Sequence, residues 1–441
     1  MPILLILTLL IRLLIWPLVK ALSFFGPLKD RVKFERRNLK EAQCISFSQT
    51  HERAEVLFHF SSEGEFEQIK SLLEVLLVRG HKLELVFTSP SVESKVQAFS
   101  KNYDDQIRYL RLPIIEFFPF IIGQNLLHWS TAKKMVMVRY DFFPELLTLG
   151  SKLSRFVLYS ASMKSSTNQG LGWLVKKIIY ESFSDVFCAT DRDYKFFSGA
   201  LDTVNIHPAL DLRSLQISKR QKNFHKNELA SSLKELFDVK EKSDRLCLAQ
   251  FWPEESDVFK DERFVEAIKS GEKFVYLAPH KLSREFLEEI TERISEITKD
   301  LKVYILDRNA SSQDISDVLK KYKERPGLVI SCLPGLLCEI YPMFPSVYVG
   351  GGFGKGVHSL LEAFMADTRI LCGPGVHRST EYDLIIDSGY KVAIVEDLKK
   401  LGSYVVNIQD EKKSQLDISE FLSHNEMEMN KLVKILDNHN A

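Results

Sequence analysis

Residues 347–363 read VYVGGGFGKGVHSLLEA. The segment begins as an apolar strand, continues as a loop with five glycines and one lysine, and ends in a helical pattern that starts near His358. A strand, a glycine-rich loop and a helix in this order are typical of a βα unit in a parallel sheet. The segment therefore predicts an α/β fold with a ligand site at the carboxyl edge of the sheet.

The glycine-rich loop is a candidate anion site. Its backbone N–H groups could hold a phosphate or a carboxylate, and Lys355 would add a positive charge. Hydrolysis of a nucleoside triphosphate is not expected, because Gly356 follows Lys355 where the GxxxxGK[ST] motif requires Ser or Thr. The alternative is a glycine-rich turn without a ligand. The candidate binding residues of the loop are Gly351, Gly352, Gly354, Lys355 and Gly356.

Two imidazoles extend this candidate site. Glu362 lies four residues after His358 on the same helical face, so the two side chains could together hold a sugar or a ribose. Pro279 and His280 follow another apolar strand and place a second imidazole at the same edge of the sheet. The alternatives are an exposed His–Glu pair and a loop histidine that is satisfied by neighbouring protein groups.

Outward from this segment, short apolar runs alternate with longer amphipathic segments along most of the chain. The second half predicts strands at 246–249, 274–277, 303–306, 328–331, 347–349, 369–371 and 392–395. The first half predicts strands at 55–60, 82–88, 107–110, 135–138, 156–159, 186–189 and 203–206, with helices that begin near Gly64, Val92, Pro144, Leu171 and Arg192.

The two series predict two Rossmann-like domains that face a cleft. The N-terminal domain covers residues 26–213 and the C-terminal domain residues 246–415. The charged segment 214–245 is interpreted as a linker with one surface helix. Residues 416–441 predict a helix, over 418–436, that could pack back on the N-terminal domain.

The first half has its own candidate residues. Glu65 falls in the first turn of the helix after the first strand, where a carboxylate could act as general base toward a hydroxyl. Glu63 and Glu67 are equally possible from spacing alone. Asp141 follows the fourth strand and precedes Pro144 at a helix start. The alternatives are a helix-terminal charge for Glu65 and a helix cap for Asp141.

Residues 1–25 predict a membrane anchor helix, because Arg12 and Lys20 are their only charges. A charge at Arg12 would cost about 2.5–3.5 kcal/mol in a spanning helix and Pro17 would kink it, so a tilted or shallow anchor is favoured. The basic residues of 29–40 predict that this flank is cytoplasmic. The alternative is a buried N-terminal helix.

Composition narrows the class of protein. The 441 residues carry 59 basic and 59 acidic side chains, which argues against a nucleic-acid binder held by net charge. The six cysteines form no CxxC pair, so we expect reduced, mostly buried thiols and no zinc site.

These segments together resemble the Kdo transferases, the membrane-associated GT-B glycosyltransferases that move 3-deoxy-D-manno-octulosonic acid (Kdo) from CMP-Kdo onto a lipid A precursor. The resemblance covers residues 1–397. His59, Ser62, Gly64 and Glu65 match the family's HxxSxGE motif, whose glutamate is the catalytic base, and this selects Glu65. Residues 139–144, RYDFFP, correspond to the family's ExELWP segment and place Asp141 at its second glutamate.

The nucleotide side of the resemblance is similarly specific. Residues 350–363 look like the family's GGxxxxxGxHNxLEP motif, residues 279–280 its PRH segment, and Gly335 with Tyr341 a cytidine-contacting segment. Residues 251–255, FWPEE, look like the loop that opens the second domain, and Glu381 falls in an element behind the donor pocket. The implied donor-binding residues are Pro279, His280, Gly335, Gly351, Gly352, Gly354, Lys355, Gly356, His358 and Glu362.

The resemblance implies an inverting, metal-independent transfer of Kdo from CMP-Kdo to the lipid A precursor lipid IVA, as in lipopolysaccharide biosynthesis. It implies Glu65 as general base, no cofactor beyond the donor substrate, and a location at the cytoplasmic face of a bacterial inner membrane. The alternatives are a GT-B transferase or epimerase that uses a UDP or GDP sugar, and a membrane-tethered homologue without activity.

Overall fold

The computed structural model describes residues 2–41, 53–103, 105–115, 126–139, 141–163, 171–354, 356–377, 379–402 and 418–437. The chain divides into two compact units. One comprises Met1–Arg213 with Ser423–Ala441, and the other comprises Ser214–Leu422.

The first unit contains a parallel seven-stranded sheet in the order β3-β2-β1-β4-β5-β6-β7. Its strands are β1 Val56–Phe60, β2 Leu83–Phe87, β3 Ile107–Arg111, β4 Lys134–Val138, β5 Arg155–Ala161, β6 Asp185–Cys188 and β7 Asn205–His207. Its helices are α1 Pro2–Leu22, α2 Gly26–Arg36, α3 Glu63–Val78, α4 Glu93–Lys101, α5 Leu126–Trp129, α6 Pro144–Gly150, α7 Leu171–Tyr180 and α8 Asp191–Ala200.

The second unit contains another parallel seven-stranded sheet, in the order β10-β11-β9-β8-β12-β13-β14. Its strands are β8 Arg245–Phe251, β9 Phe274–Pro279, β10 Val303–Leu306, β11 Leu328–Ser331, β12 Ser346–Val349, β13 Arg369–Cys372 and β14 Val392–Ile394. The remaining helices are α9 Leu212–Lys222, α10 Ala230–Phe237, α11 Glu262–Lys269, α12 Arg284–Ile297, α13 Ser312–Glu324, α14 Leu337–Ile340, α15 Leu361–Met365, α16 Thr380–Asp387 and α17 Ile418–Asp437.

Both sheets reverse their strand order at one point, and this fixes where a ligand would bind. The first sheet reverses between β1 and β4, which pair from Val56↔Lys134 onward. The second reverses between β8 and β12, which pair from Ser346↔Leu246 onward. Open α/β sheets bind their ligands outside the carboxyl ends of the strands at such a reversal. Each unit therefore has one favoured place for a site.

The strands are apolar because both faces of each sheet are covered. In β8, Cys247 and Ala249 belong to one hydrophobic cluster of the second unit, while Leu246 and Leu248 belong to the cluster on the opposite face. The fourteen strands in the described part of the chain lie within two residues of their predicted bounds. The five cysteines within the described ranges are buried and form no disulfide, while Cys44 lies outside those ranges.

The interpretation of residues 214–245 as a linker with a surface helix is wrong. This segment contains α9 and α10, and most of its apolar side chains are buried in the core of the second unit. In α10, Leu233, Leu236 and Phe237 recur at the spacing of one helical face, which accounts for their burial. The many charges around them concealed this pattern in the sequence.

The N-terminal segment forms α1, whose Trp16 Nε1 donates a hydrogen bond to the carbonyl oxygen of Ile115 (3.1 Å). Of the helices in the described part of the chain, none combines the length and the apolar character needed to cross a membrane. At the other end, α17 returns to the first unit, where Asn425 Oδ1 accepts a hydrogen bond from the N–H of Asp211 (2.7 Å) and Asp437 Oδ1 contacts His81 Nε2 (2.7 Å).

Candidate active site

Glu65 lies at the reversal point of the first sheet, in the first turn of α3 directly after β1. Ser62 caps this helix and accepts a hydrogen bond from the N–H of Glu65 through its Oγ (3.3 Å). In return, Glu65 Oε2 accepts a hydrogen bond from the N–H of Ser61 (2.6 Å). These two bonds fix the carboxylate at the carboxyl edge of the sheet, and they explain why a Ser and a Glu stand three residues apart here.

Opposing influences act on the Glu65 carboxyl group. Burial raises its pKa above the ordinary value, and the negative charge of Asp141 raises it further. The N–H of Ser61, which donates to the carboxylate, and the positive charge of Arg139 lower the pKa and partly offset burial. A carboxylate with a raised pKa binds a proton more readily, which suits a general base.

The structure separates Glu65 from the two neighbouring glutamates. Glu63 and Glu67 both pair with Lys95 on α4, at 2.6 Å and 3.0 Å from its Nζ. Their charges are therefore neutralised on another face of α3, whereas Glu65 has no cation within salt-bridge distance among the described residues. Spacing alone could not make this distinction.

Asp141 and Arg139 follow β4 on the other side of the reversal. Asp141 does not cap α6, because that helix has Phe143 at its N-cap and no side-chain cap. Burial raises the pKa of the Asp141 carboxyl group. The negative charge of Asp141 raises the pKa of Glu65, so the structure brings these two candidate residues into the same polar surroundings.

Arg139 is the main residue of this edge that the sequence analysis did not single out. Its backbone has φ 62°, a left-handed conformation that is uncommon outside glycine, and its N–H donates to the carbonyl oxygen of Tyr159 (2.9 Å). Its Nε is buried and makes no hydrogen bond within the described residues. Ser160 on the neighbouring β5 is also left-handed, with φ 59°. Strained backbone at a strand end is common at functional sites.

In the second unit the glycine-rich loop follows β12 at the reversal. Most of its N–H groups are already used. The N–H of Gly351 donates to Glu255 Oε1 (2.8 Å), and those of Gly354 and Gly356 donate to the carbonyl oxygen of Gly351 (3.1 and 3.0 Å). Among the described residues from Gly350 to His358, only Gly352 and Phe353 have N–H groups that donate no hydrogen bond. The expectation that the whole loop presents free donors is wrong, and Lys355 lies outside the described residues.

The glycines instead allow two loops to pack closely. A Cβ on Gly352 would lie 2.7 Å from backbone atoms of Gly373, in the loop after β13. The N–H of Gly375 donates to the carbonyl oxygen of Gly352 (2.8 Å), so the two loops are joined by backbone as well. Gly351 has φ 92°, which a side chain would strain. The glycine-rich composition is thus required by packing, whether or not a ligand binds.

The helical pattern near His358 was predicted too early, because α15 begins only at Leu361. The carboxylate of Glu381 accepts hydrogen bonds from the N–H groups of Leu360 and Leu361, at 2.8 and 3.0 Å through Oε2. These N–H groups at the helix start are therefore already bound within the protein. A carboxylate at this position stabilises the partial positive charge of the helix start and occupies its hydrogen-bond donors.

Three aromatic rings form a stack beside the glycine-rich loop. The rings of Trp252 and His358 lie nearly coplanar, with an interplanar angle of 10°, and Trp252 Nε1 lies 2.9 Å from His358 Nε2. His280 stacks on both, with centroids 4.5 Å from Trp252 and 4.0 Å from His358. Burial lowers the pKa of His358. The sequence analysis placed His280 and His358 at the same edge of the sheet, and the structure stacks them there. It did not predict a role for Trp252.

The remaining predicted residues are linked by one arginine. Arg220 on α9 holds Glu339 through two hydrogen bonds, of 2.9 Å from Nε and 3.0 Å from Nη2, and donates to the carbonyl oxygen of Gly335 (3.0 Å). Its Nη1 lies 4.0 Å from Glu362 Oε1. Gly335 has φ 72°. Gly335 and Glu362 therefore belong to one polar cluster of the second unit.

Comparison with known proteins gives a consistent result over the first unit. Residues 28–213 match the family model described as 3-Deoxy-D-manno-octulosonic-acid transferase (kdotransferase). Two relatives named 3-deoxy-D-manno-octulosonic acid transferase are each 20% identical to this chain. The protein from Rickettsia prowazekii (strain Madrid E) aligns over 78% of this chain and 70% of its own length, and that from Rickettsia felis over 75% and 66%.

Solved structures show the same fold. UDP-GlcNAc 2-epimerase from Methanocaldococcus jannaschii superposes with a TM-score of 0.51 at 14% identity, over 82% of this chain and 94% of its own. The enzyme of that name from Neisseria meningitidis gives 0.50 at 12% identity, over 85% and 94%. The predicted GT-B class with two Rossmann-like sheets is confirmed, and so is the resemblance in sequence to the Kdo transferases.

Proposed function

We propose that this chain, which resembles the Kdo transferases, transfers Kdo from CMP-Kdo to lipid IVA, the lipid A precursor, with inversion at the anomeric carbon. The observation that carries the proposal is the position of Glu65. Its carboxylate is fixed at the reversal point of the first sheet, within the residues that match the family model.

Glu65 would act as the general base. As a primary hydroxyl of the acceptor attacks the anomeric C2 of Kdo, the carboxylate takes the hydroxyl proton and the bond from C2 to the CMP oxygen breaks. Two features support this role. Burial and Asp141 raise the pKa of Glu65, while Arg139 and the N–H of Ser61 keep its anionic form accessible.

The second unit would bind the donor at its own reversal point. CMP leaves with one phosphate group, whose negative charge needs hydrogen-bond donors. The N–H groups of Gly352 and Phe353 and the ring of His358 are the candidate donors, since the other described N–H groups from Gly350 to His358 are occupied. In this proposal the monophosphate is bound by these groups and by Lys355, without a metal ion or another cofactor. Pro279, His280, Gly335 and Glu362 would contact the nucleoside.

We further propose a shallow membrane anchor that holds the protein at the cytoplasmic face of a bacterial inner membrane. Leu14 and Leu18 of α1 are 80% and 63% exposed, and Phe24 and Phe25 just after it are 69% and 74% exposed. Apolar side chains left in water over this length favour insertion into a lipid interface.

The basic flank contributes less than its sequence suggests. Arg31 forms an ion pair with Glu35 (2.6 Å) and Arg37 with Glu93 (2.8 Å), so these two positive charges are neutralised within the protein. The exposed cations left to meet anionic headgroups include Lys29 and Lys40.

A transfer assay tests the function. Full-length protein is incubated with CMP-Kdo and lipid IVA in detergent, and the products are identified by mass spectrometry. We expect a mass gain of Kdo that Glu65→Gln abolishes and the matched variant Glu67→Gln retains. Competition between CMP and UDP for the free protein addresses the alternative, because preference for UDP would favour another sugar-nucleotide enzyme. Binding of CMP with no product from any acceptor would favour the homologue without activity.

A further inference from the structure

The contact between Trp252 and His358 determines which nitrogen of the imidazole carries the proton. The indole Nε1 can only donate a hydrogen bond, and it lies 2.9 Å from His358 Nε2. His358 Nε2 must therefore accept, which requires that it carry no proton. A neutral imidazole whose Nε2 accepts has its proton on Nδ1.

We propose that Trp252 is a positioning residue that fixes His358 as the neutral Nδ1–H tautomer, so that this ring donates a hydrogen bond from Nδ1 to an anionic oxygen of the bound nucleotide. The ligand part of this inference rests on the proposed function. The part that concerns the tautomer depends only on the ring geometry.

The surroundings of the ring support the assignment. His280 stacks on His358 at 4.0 Å, and its own Nδ1 lies 3.0 Å from Gln250 Oε1, so its Nδ1 donates to Gln250. Within the described residues, no group forms a hydrogen bond with His358 Nδ1, which leaves that nitrogen for a ligand.

The charged groups near the stack do not favour a positive charge on His358. The Lys281 ammonium lies 5.9 Å from the Trp252 ring centroid, and His280 would add a second positive charge if protonated. Glu255 is the nearby acid, but its carboxylate is used by the N–H groups of Trp252 and Gly351 and by the hydroxyl of Tyr348, at 2.9, 2.8 and 2.7 Å. Protonation of His358 would also place a second N–H against the indole N–H.

The proposal predicts a pH dependence that a merely structural Trp would not produce. In the wild type, His358 stays neutral and its Nδ1–H is available at all pH values near neutrality. In Trp252→Phe, the ring plane and the stacking remain, but the donor is lost. The imidazole can then adopt the Nε2–H tautomer above its pKa and become protonated below it.

The test uses the full chain and CMP as the probe. Nitrogen-15 NMR of the histidine rings in the free protein gives the tautomer, and calorimetry gives CMP affinity from pH 5.5 to 8. We expect the Nδ1–H form of His358 in the wild type and its loss in Trp252→Phe. We expect the variant to bind CMP about three- to tenfold more weakly than the wild type at pH 8, a deficit that shrinks at pH 5.5. The phosphate of CMP titrates equally with both proteins. The ratio of their CMP affinities at each pH therefore reports the contribution of the His358 imidazole alone.

Phe286→Leu is the matched control. Phe286 packs edge-on against Trp252, with centroids 5.6 Å apart, and donates nothing to His358. It should keep the Nδ1–H tautomer and the pH dependence of the wild type. An Nε2–H tautomer in the wild type would overturn the proposal, as would a deficit in Trp252→Phe that is constant with pH. A wild type with the Nδ1–H form that binds no CMP at any pH would overturn the ligand part and the proposed donor together, while the fixed tautomer would stand.

Discussion

The two sheet reversals have similar topology but differ in how far the protein satisfies its own polar groups there. At the second reversal, Glu255 and Glu381 accept hydrogen bonds from N–H groups of the loop and of α15, and two glycine loops close on each other. At the first reversal, the Nε of Arg139 and the Oγ of Ser61 are buried without a hydrogen-bond partner in the described residues. Buried polar groups without partners are rare in folded proteins. Most N–H groups at the second edge are therefore satisfied by the protein, apart from those of Gly352 and Phe353, whereas the first edge buries side-chain groups that a substrate could satisfy.

The largest effect should come from the first edge. Glu65→Gln keeps the size of the side chain but removes the base, so transfer should fall by about 10²- to 10⁴-fold. The affinity for CMP should not change, because Glu65 belongs to the other unit. Initial rates of product formation and calorimetry with CMP measure the two quantities.

Glu63→Gln is the control for that substitution, because Glu63 lies in the same helical turn and pairs with Lys95. Its activity should remain close to that of the wild type. If Glu63→Gln and Glu65→Gln reduced transfer equally, the loss would reflect the helix start rather than a base.

The second edge should respond through stability instead. An added methyl group in Gly352→Ala would lie 2.7 Å from the backbone of Gly373, which cannot move away as a side chain can. Overpacking of this kind costs about 1–3 kcal/mol, and each kcal/mol lowers the Tm of a unit of this size by roughly 2–4 °C. Thermal unfolding measures the shift, and CMP affinity should fall with it.

Gly354→Ala is the matched control in the same loop, since its added Cβ would meet no atom within 4 Å and its φ is not in the left-handed region. Its Tm should stay near that of the wild type. Equal destabilisation by both variants would mean that the loop tolerates no side chain anywhere, and would remove close packing as the specific cause.

A smaller effect is expected for Glu381→Gln. The substitution keeps an acceptor for the N–H groups of Leu360 and Leu361 but removes the negative charge at the start of α15, a loss of about 1 kcal/mol. Asp387→Asn removes an exposed carboxylate from the other end of α16 and serves as the control. Chemical denaturation should show a lower unfolding free energy for Glu381→Gln alone. Equal unfolding free energies for the two variants would mean that the charge of Glu381 does not stabilise the start of α15.

These differences mark the limit of the sequence as a guide. The period of apolar residues predicted the fourteen strands of the described residues, because most of them are largely buried runs such as Leu328–Ser331. The candidate sites depend on hydrogen bonds and ion pairs between residues far apart in sequence, and the local pattern of apolar residues does not predict these contacts. Glu381 caps a helix that begins twenty residues earlier. Lys95 forms ion pairs with Glu63 and Glu67, which makes these two glutamates unsuitable as the general base. The linker was misread because charged residues surround the buried face of α10.

Arg139 offers the finest test of the contrast between the two edges. Its positive charge lowers the pKa of Glu65 against the effect of burial, so Arg139→Gln should raise that pKa. Glu65 acts as an anion, and activity rises with pH through its pKa, so the variant should lose activity on the acid side and recover it at higher pH. A partly solvated pair of this kind predicts a loss of activity of about two- to fivefold below the pKa of Glu65.

The control is Arg155→Gln, which removes the same charge from the opposite end of the same sheet, where Arg155 lies 3.8 Å from Asp185. A pH profile of kcat/KM whose acid limb moves in Arg139→Gln and stays in place in Arg155→Gln would tie the charge of Arg139 to the base. An acid limb that is unchanged in both would leave Arg139 as a group for the substrate, and the loss would then appear in the KM for the acceptor at every pH.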